Sequence, residues 1–253
     1  MAKRTDFIFG IHPILEALDA GKAMDKLMLQ RNFITHTMLR RIHDRATEQG
    51  IPVAKVPTER LNRVTRKNHQ GAIAFMAAVT FGSLENVIAG CFEEGKMPLI
   101  LVLDGVTDVR NFGAIVRTAE CAGVDALVVP AKNAARIGED AVKTSAGALH
   151  RVPVTRHADL REAVTFLQQS GLQVVACTEK TTHEIYTEAP DLSQPTALVM
   201  GDEGHGISEA LLRLADRQVR LPMQGEIGSL NVSVAAGVLL YEAVRQRKKV
   251  HSK

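Results

Sequence analysis

The chain has 253 residues, of which 45% are hydrophobic and 23% charged, values typical of a globular protein with a buried core. No stretch reaches the roughly 18 to 20 consecutive apolar residues of a membrane helix, and the N-terminus lacks a secretory signal. We therefore expect neither a membrane span nor export, and a cytoplasmic location. Aromatic residues make up only 4% and tryptophan is absent, which argues against a protein that stacks many bases on aromatic platforms.

Cysteine content is low and irregular. Cys91, Cys121 and Cys177 are odd in number and far apart, which fits neither a disulfide framework nor a thiolate zinc site. We expect three buried thiols and no metal site.

The net charge of +3 hides an uneven distribution along the chain. Residues 1–80 carry 13 Lys and Arg against 7 Asp and Glu, whereas residues 81–244 carry 13 against 21 and the last nine residues add five cations. Such a basic first segment predicts either a phosphate-neutralising surface for nucleic acid or a solvated helix face. The candidate cations are Arg40, Arg41, Arg45, Arg60, Arg63, Arg66 and Lys67.

Residues 1–80 alternate short strand and helix patterns, which predicts a small α/β domain. The predicted strands are 26–30, 53–56 and 72–79, and the predicted helices are 12–20, 37–49 and 58–65. Residues 81–98 mix glycine, acids and a weak helical pattern before the apolar run at 99, and we interpret them as a linker.

From residue 99 to the C-terminus, apolar strand patterns alternate with helical ones, which predicts a parallel sheet with helices on both faces. The predicted strands are 99–103, 126–129, 173–176, 197–200 and 219–221. Ligands of such sheets bind outside the carboxyl ends of the strands, so the residues that follow each strand are the first candidates for a site.

Three stretches of polar residues and glycines follow predicted strands. In the first, Asn111 and Arg117 lie six residues apart at the start of a helix and can face one site, although Asn111 could instead cap the helix and Arg117 form a surface salt bridge. In the second, three glycines surround Asp202, Glu203 and His205 in a pattern that differs from a dinucleotide fingerprint, and an ordinary loop is the alternative.

The third stretch joins apolar loop residues to a long apolar helix. Leu221, Met223 and Leu230, beside Ser229 and Asn231, suit a flat heterocycle held by a few polar groups. The alternative for Ser229 is that it caps the helix.

The order and content of the three stretches resemble the SpoU, or TrmH-like, branch of the SPOUT family of RNA ribose 2′-O-methyltransferases. NFGAIVRTAECAG, LVMGDEGHGI and LPMQGEIGSLNVSVAAGVLLYEAVRQR are similar to that family's three motifs. FIFGIHPILEAL and HQGAIAF resemble marks of the ribosomal-protein-like RNA-binding domain that many members carry. Within the family, the arrangement is most similar to enzymes that methylate a guanosine ribose of 23S rRNA, and tRNA-directed members share the motifs.

The resemblance implies a trefoil-knotted, parallel-sheet methyltransferase domain at residues 99–253, preceded by a small α/β RNA-binding domain at residues 1–80. It also implies S-adenosylmethionine (AdoMet) as cofactor, RNA as partner and a homodimer, which we expect to form through the last helix. Carried over residue by residue, the family's catalytic positions are Asn111, Arg117, Glu203, Ser229 and Asn231, and its cofactor positions are Gly201, Leu221, Met223 and Leu230. Two positions depart from the family pattern, namely Arg110, where many members have His, and His150, where many have Glu.

The corresponding arginine of relatives is often described as a general base. An arginine stays protonated at ordinary pH, so we expect Arg117 to stabilise the alkoxide and hold the adjacent phosphate, with Glu203 orienting Arg117 or Asn111. The expected function is methyl transfer from AdoMet to a ribose 2′-hydroxyl of RNA. Two alternatives stay open, namely a tRNA-directed enzyme and a non-catalytic RNA-binding or ribosome-assembly protein. A nucleotide-binding oxidoreductase is disfavoured, because the sequence lacks the phosphate-binding fingerprint of that class.

Overall fold

A computed structural model describes residues 7–187, 190–202 and 204–250, with side chains described as far as Lys248. The chain divides into two compact units. The first unit comprises the residues up to Thr80 together with Arg136–Glu139, and the second comprises Phe81–Ala135 and Asp140 onward. Within the described ranges, no helix is long and apolar enough to cross a membrane, and no group of three or more His, Cys, Asp or Glu side chains is placed to hold a metal ion.

The first unit is a four-stranded sheet with helices on both faces. Its elements are β1 (Phe7–Phe9), α1 (Ile11–Asp19), β2 (Met24–Gln30), α2 (Thr37–Glu48), β3 (Val53–Val56), α3 (Thr58–Val64) and β4 (Ala72–Met76), with a 3-10 turn at Phe33–Thr35. The strand order is β1-β4-β2-β3. β2 pairs in parallel with β3, whereas β4 runs antiparallel to both β1 and β2.

Hydrophobic spacing fixes which face each helix covers. The fully buried Leu18, Leu39 and Ile42 of α1 and α2 pack with Leu27 and Leu29 of β2 on one face. On the other face, Leu61 of α3 packs with Met28, Val56 and Ile73. Alternate side chains of a strand point to opposite faces, so Leu27 and Leu29 enter one core and Met28 the other.

The second unit contains one six-stranded sheet. Its elements are α4 (Leu84–Glu93), β5 (Leu99–Asp104), α5 (Val109–Cys121), β6 (Ala126–Pro130), α6 (Glu139–Thr144), β7 (Val154–His157), α7 (Leu160–Gln169), β8 (Gln173–Cys177), β9 (Thr196–Gly201), α8 (Glu209–Leu214), β10 (Arg217–Val219) and α9 (Val232–Val250). The strand order is β10-β8-β9-β5-β6-β7, and every pairing is parallel.

All carboxyl ends of these strands consequently lie along one edge of the sheet. The central strand β5 is buried from Leu99 to Leu103, as expected of a parallel strand covered on both faces. Ile100 and Val102 join one continuous core with residues from α4, α7 and α8. On α5, Gly113 allows a close helix approach, because a Cβ there would lie 2.0 Å from the Thr144 hydroxyl oxygen of α6.

The structure corrects several local predictions. Residues 81–98 are not a linker, because Ser83 caps α4 and the buried Leu84 and Ile88 belong to the core of the second unit. The strands β1 and β7, of three and four residues, were not predicted from the sequence. Of the three cysteines expected to be buried, Cys91 is, Cys177 is half-buried and Cys121 is exposed at the end of α5.

Candidate active site

A cavity of about 580 Å³ lies at the carboxyl edge of the six-stranded sheet. It is formed by the segments that follow β8, β9 and β10, together with the start of α9. Its walls contain Cys177, Thr178, Glu179, Lys180, Met200, Gly201, Asp202, Gly204, His205, Gly206, Arg220, Leu221, Met223, Gly228, Ser229, Leu230, Val232 and Ala235. The size and the mixture of apolar side chains with a few polar groups are those of a small-molecule site.

The turn after β9 is organised by Asp202. Its Oδ1 accepts hydrogen bonds from the amides of Gly204 at 2.5 Å and His205 at 2.7 Å, and these bonds, that of His205 above all, hold the pKa of Asp202 below its usual value. Gly201 is required here because a Cβ would lie 2.0 Å from the carbonyl carbon of Gly206. The turn therefore brings backbone and an ionised carboxylate to the cavity wall.

A second carboxylate joins this turn to the neighbouring strand. Asp104, the last residue of β5, accepts a hydrogen bond from the Ser208 amide at 2.8 Å. This contact fixes the end of the loop after β9 beside the start of the segment that leads to α5.

Asn111 does not cap the helix on which it lies. Asp108 takes that role, because its Oδ1 accepts a hydrogen bond from the Asn111 amide at 2.8 Å. The Asn111 side chain instead accepts a hydrogen bond at 3.1 Å from Nδ2 of Asn231. Two residues 120 positions apart in the sequence are thereby joined at the carboxyl edge of the sheet.

Asn231 begins the last helix. Its Oδ1 accepts hydrogen bonds from the Ser233 amide at 3.0 Å and the Ser233 hydroxyl at 2.6 Å, and its carbonyl accepts one from the Ala235 amide at 2.9 Å. These are the bonds of an N-cap residue, so Asn231 rather than Ser229 caps α9. Ser229 lies in the cavity wall, two residues before that cap.

Arg117 is exposed on α5 and is absent from the cavity walls. Among the side chains that the structure describes, none forms an ion pair or hydrogen bond with it, so the surface salt bridge that was its alternative explanation does not form with the described residues. Glu203 lies outside the described residues, and its expected role is not tested.

The four predicted cofactor residues, Gly201, Leu221, Met223 and Leu230, all line the cavity together with Ser229. Sequence reasoning missed the last residue of β8, Cys177, and the segment after it, where Glu179 and Lys180 also face the cavity. This segment also follows the carboxyl end of a parallel strand, where ligands bind. It was not predicted as part of the site because it contains no glycine.

The cavity wall carries both signs of charge. Glu179, Asp202, Lys180 and Arg220 all contribute, and Nη2 of Arg220 forms an ion pair with Glu184 at 2.8 Å. Burial raises the pKa of the Cys177 thiol to about 12, so this cavity residue is a neutral thiol rather than a nucleophile at ordinary pH.

A parallel sheet with a cavity at its carboxyl edge defines the class of α/β proteins that bind a small ligand beyond the ends of their strands. Comparison with known families is more specific. The model of the SpoU rRNA Methylase family matches residues 98–241, and a model described as RNA 2′-O ribose methyltransferase substrate binding matches residues 7–81. The chain belongs to the SpoU rRNA Methylase family and is an RNA methyltransferase of the SpoU/TrmH type.

Individual relatives agree with this assignment. The chain is 32% identical over 250 residues to YacO of Bacillus subtilis (strain 168), a provisionally named TrmH family tRNA/rRNA methyltransferase, and 99% of each chain is covered. The AdoMet-bound rRNA methyltransferase from Sinorhizobium meliloti is 25% identical, with a TM-score of 0.57 over 94% of this chain and 86% of that one. The A. aeolicus TrmH/SpoU tRNA modifying enzyme is 32% identical, with a TM-score of 0.56 over 66% of this chain and 86% of that one. A relative solved with AdoMet is consistent with AdoMet as the cofactor.

Proposed function

We propose that this protein transfers a methyl group from AdoMet to a ribose 2′-hydroxyl of structured RNA, and that its target is a guanosine of 23S rRNA. The observation that carries the proposal is the joining of Asn111 to Asn231 at the sheet edge where Gly201, Leu221, Met223, Ser229 and Leu230 line one cavity. The resemblance to the family's motifs assigns its site to these same positions. We also propose that the protein acts in the cytoplasm.

The residues that line the cavity suit AdoMet. Leu221, Met223 and Leu230 offer apolar contact for an adenine ring, and Gly201 contributes backbone to the same cavity wall. The carboxylates of Glu179 and Asp202 complement a positive sulfonium, and Lys180 complements a carboxylate. When bound, AdoMet supplies a methyl group already activated for displacement.

The protein's own residues then have to position the ribose and stabilise the charge on its oxygen. Asp108 holds the backbone of Asn111 and Ser233 holds the side chain of Asn231, so the hydrogen bond between the two side chains is supported from both helices before substrate binds. The Ser229 hydroxyl offers a further donor or acceptor at the cavity wall. Arg117, an exposed cation, holds the adjacent phosphate and stabilises the alkoxide, and Glu203 orients Arg117 or Asn111.

The first unit is proposed to hold the RNA. Residues 7–81 match the substrate-binding model, and residues 1–80 carry 13 Lys and Arg against 7 Asp and Glu. Ribosomal RNA is favoured over tRNA because the S. meliloti rRNA enzyme matches 94% of this chain, whereas the A. aeolicus tRNA enzyme matches 66%.

A homodimer through α9 is also proposed. Three large apolar side chains are exposed here. Leu230, two residues before α9, is 39% exposed, and Val234 and Tyr241 on α9 are 51% and 53% exposed. Their spacing of four and seven residues places Val234 and Tyr241 on one face of the helix. A second copy of the chain would cover this apolar face.

A trefoil knot in the second unit is also proposed, as the family resemblance implies. The long segment between β8 and β9 contacts the residue after β10 and the helix α9. The His183 carbonyl accepts a hydrogen bond from the Arg220 amide, and the Leu192 amide donates one to the Gln246 side chain. A chain trace in an experimental map tests whether the C-terminal segment passes through this loop.

Mapping of 2′-O-methyl groups on rRNA and tRNA, from cells with and without this protein, tests the proposed reaction. We expect one guanosine ribose of 23S rRNA to lose its methyl group, and purified protein with AdoMet to restore it. A missing tRNA methyl group would instead identify a tRNA enzyme. An unchanged map in both RNAs, with RNA binding retained, would identify a non-catalytic RNA-binding protein.

A further inference from the structure

The sheet of the first unit has two unlike ends. β1, β2 and β3 run in one direction and β4 in the opposite direction, so the loops that follow the first three strands and the loop that precedes β4 all meet at one end. We call this the basic end, and it comprises residues 10–13, 31–36, 57–60 and 65–71.

The basic end concentrates unpaired positive charge. Its Lys and Arg side chains, Arg31, Arg60, Arg66 and Lys67, are all exposed, and within the described part of the chain none of the four forms an ion pair. Glu59 is the one carboxylate of these loops. The helix α2, which carries Arg40 and Arg41 in its N-terminal half, also begins at this end.

The opposite end is engaged in contacts of another kind. There Arg45, at the end of α2, forms an ion pair with Asp19 at the end of α1. Asp25 at the start of β2 accepts a hydrogen bond from the Ile137 amide at 3.3 Å, and the Ala78 amide donates to the Ile137 carbonyl at 2.9 Å. The structure thus removes Arg45 from the cations that sequence suggested for RNA contact and adds Arg31.

The loop that carries Arg66 and Lys67 is held in place by its neighbours. His69 is buried, its Nδ1 accepts a hydrogen bond from the Gly71 amide at 3.0 Å, and its Nε2 lies 2.9 Å from Oδ1 of Asn62. Gln70 accepts a hydrogen bond from the Ile11 amide at 2.9 Å through its Oε1. Because these contacts order the loop when the protein folds, RNA binding does not have to order it. The two cations are therefore presented without a further loss of loop entropy.

We propose that the basic end is the surface by which the first unit binds RNA, with Arg31, Arg60, Arg66 and Lys67 on the phosphates. The inference rests on the proposed function, since it names the surface that holds the proposed substrate. Ile34, 63% exposed in the loop after β2, adds an apolar side chain among the cations for contact with a ribose or base. A surface that combines cations with an apolar side chain suits single-stranded or looped RNA, because the cations bind its phosphates and the apolar side chain contacts an unpaired base or ribose.

Two double variants of the full-length protein test the proposal with the same change in charge. Arg66→Gln with Lys67→Gln removes two exposed cations from the basic end, and Lys22→Gln with Lys26→Gln removes two exposed cations from the opposite half of the same sheet. Fluorescence anisotropy with a labelled RNA stem–loop measures the affinity over a range of salt concentrations. We expect the first pair to weaken binding roughly 30-fold at about 0.1 M salt and to reduce the slope of log affinity against log salt by about 1.5, while the second pair changes little.

Equal weakening by both pairs would mean that only overall charge matters and would overturn the proposal, as would no change in either or a larger loss for the second pair. Two further measurements distinguish failure of the basic end from failure of the proposed reaction. Calorimetry gives the affinity for AdoMet, and methyl transfer at saturating RNA gives kcat. The first pair should raise KM for RNA and leave AdoMet affinity and kcat unchanged. If no RNA is methylated but the two pairs still differ in affinity, the reaction fails and the basic end stands; if methyl is transferred and the two pairs bind alike, the basic end fails and the reaction stands.

Discussion

Nδ2 of Asn231 donates a hydrogen bond to Oδ1 of Asn111 at 3.1 Å, which joins the beginnings of α5 and α9 at the carboxyl edge of the sheet. Each partner is also held from its own helix, Asn111 through its amide on Asp108 and Asn231 through Ser233. The two amides consequently form one preorganised unit, whose effect on catalysis can be measured as a coupling.

Asn111→Ala and Asn231→Ala should each lower kcat by about 100-fold, the loss typical of one preorganised polar group. The double variant should be little worse than the weaker single variant, because either change breaks the same pair. Single-turnover methyl transfer measures all three, and Asn86→Ala on the exposed side of α4 is the control. Additive losses would show that the two residues act separately.

Arg117 distinguishes an electrostatic role from that of a base. If it acts through its fixed charge, Arg117→Lys should keep activity within about tenfold of wild type while Arg117→Ala loses at least about 100-fold, with AdoMet affinity unchanged in both. Activity of the Lys variant that rises steeply between about pH 7 and about pH 10 would support the base instead. Arg110, exposed on the same helix, provides matched Lys and Ala controls. Full activity in Arg117→Ala would remove Arg117 from the mechanism.

The exposed stripe on α9 predicts the effect of placing charge within the dimer contact. Val234→Arg with Tyr241→Arg should weaken self-association at least about 100-fold, because two cations would be buried without partners. Sedimentation velocity over a range of protein concentrations measures this. Phe92→Arg, which changes an exposed aromatic residue of α4, is the control and should leave association unchanged. A monomeric wild-type protein with full activity would contradict the proposed dimer.

Arg247 is predicted to stabilise the second unit. Its guanidinium donates to the carbonyls of Leu192 at 3.0 Å, Met97 at 2.6 Å, and Pro98 and Gln194 at 3.1 Å each, and burial lowers its pKa. Arg247→Ala should cost about 2 to 4 kcal/mol, because four carbonyls, those of Leu192 and Pro98 in part-buried positions, lose a charged donor. That loss would lower Tm by roughly 5 to 10 °C. Arg213→Ala, on the exposed side of α8, should have no measurable effect in the same thermal scan.

The three cysteines should react with a thiol reagent at very different rates. Burial raises the pKa of Cys91 to about 11 and of Cys177 to about 12, so near pH 8 both are protonated thiols, whereas Cys121 is exposed. Titration with an aromatic disulfide should give one fast thiol, lost in Cys121→Ser, and two slow ones. The rates of the slow thiols should rise about tenfold per pH unit until the native pKa or unfolding is reached. A fast phase that persists in Cys121→Ser would contradict this assignment.

The alternation of strands and helices was predictable from sequence because each element is long enough to show its period. Strand Val53–Val56 and the start of α2 at Thr37 agree with the predicted bounds. The strands β1 and β7 were not predicted, because three or four residues give only a weak period, although β3, also four residues long, was recognised. The weak pattern of residues 81–98 concealed α4, because the role of its buried side chains, Leu84 and Ile88 among them, becomes clear only against the core of the second unit.

Sequence by itself determined the chemistry that the chain can carry, namely the apolar loop residues, the glycines and the polar groups that follow parallel strands. All four predicted cofactor residues line one cavity because parallel strands bring their carboxyl ends to one edge. Tertiary structure alone decided the partners. It gave the cap of α5 to Asp108, so that the Asn111 side chain could pair with Asn231, and it placed Arg45 against Asp19 while leaving Arg31 exposed. The Asn111–Asn231 and Arg45–Asp19 pairs join residues 120 and 26 positions apart, and such distances are set by packing and not by any local period.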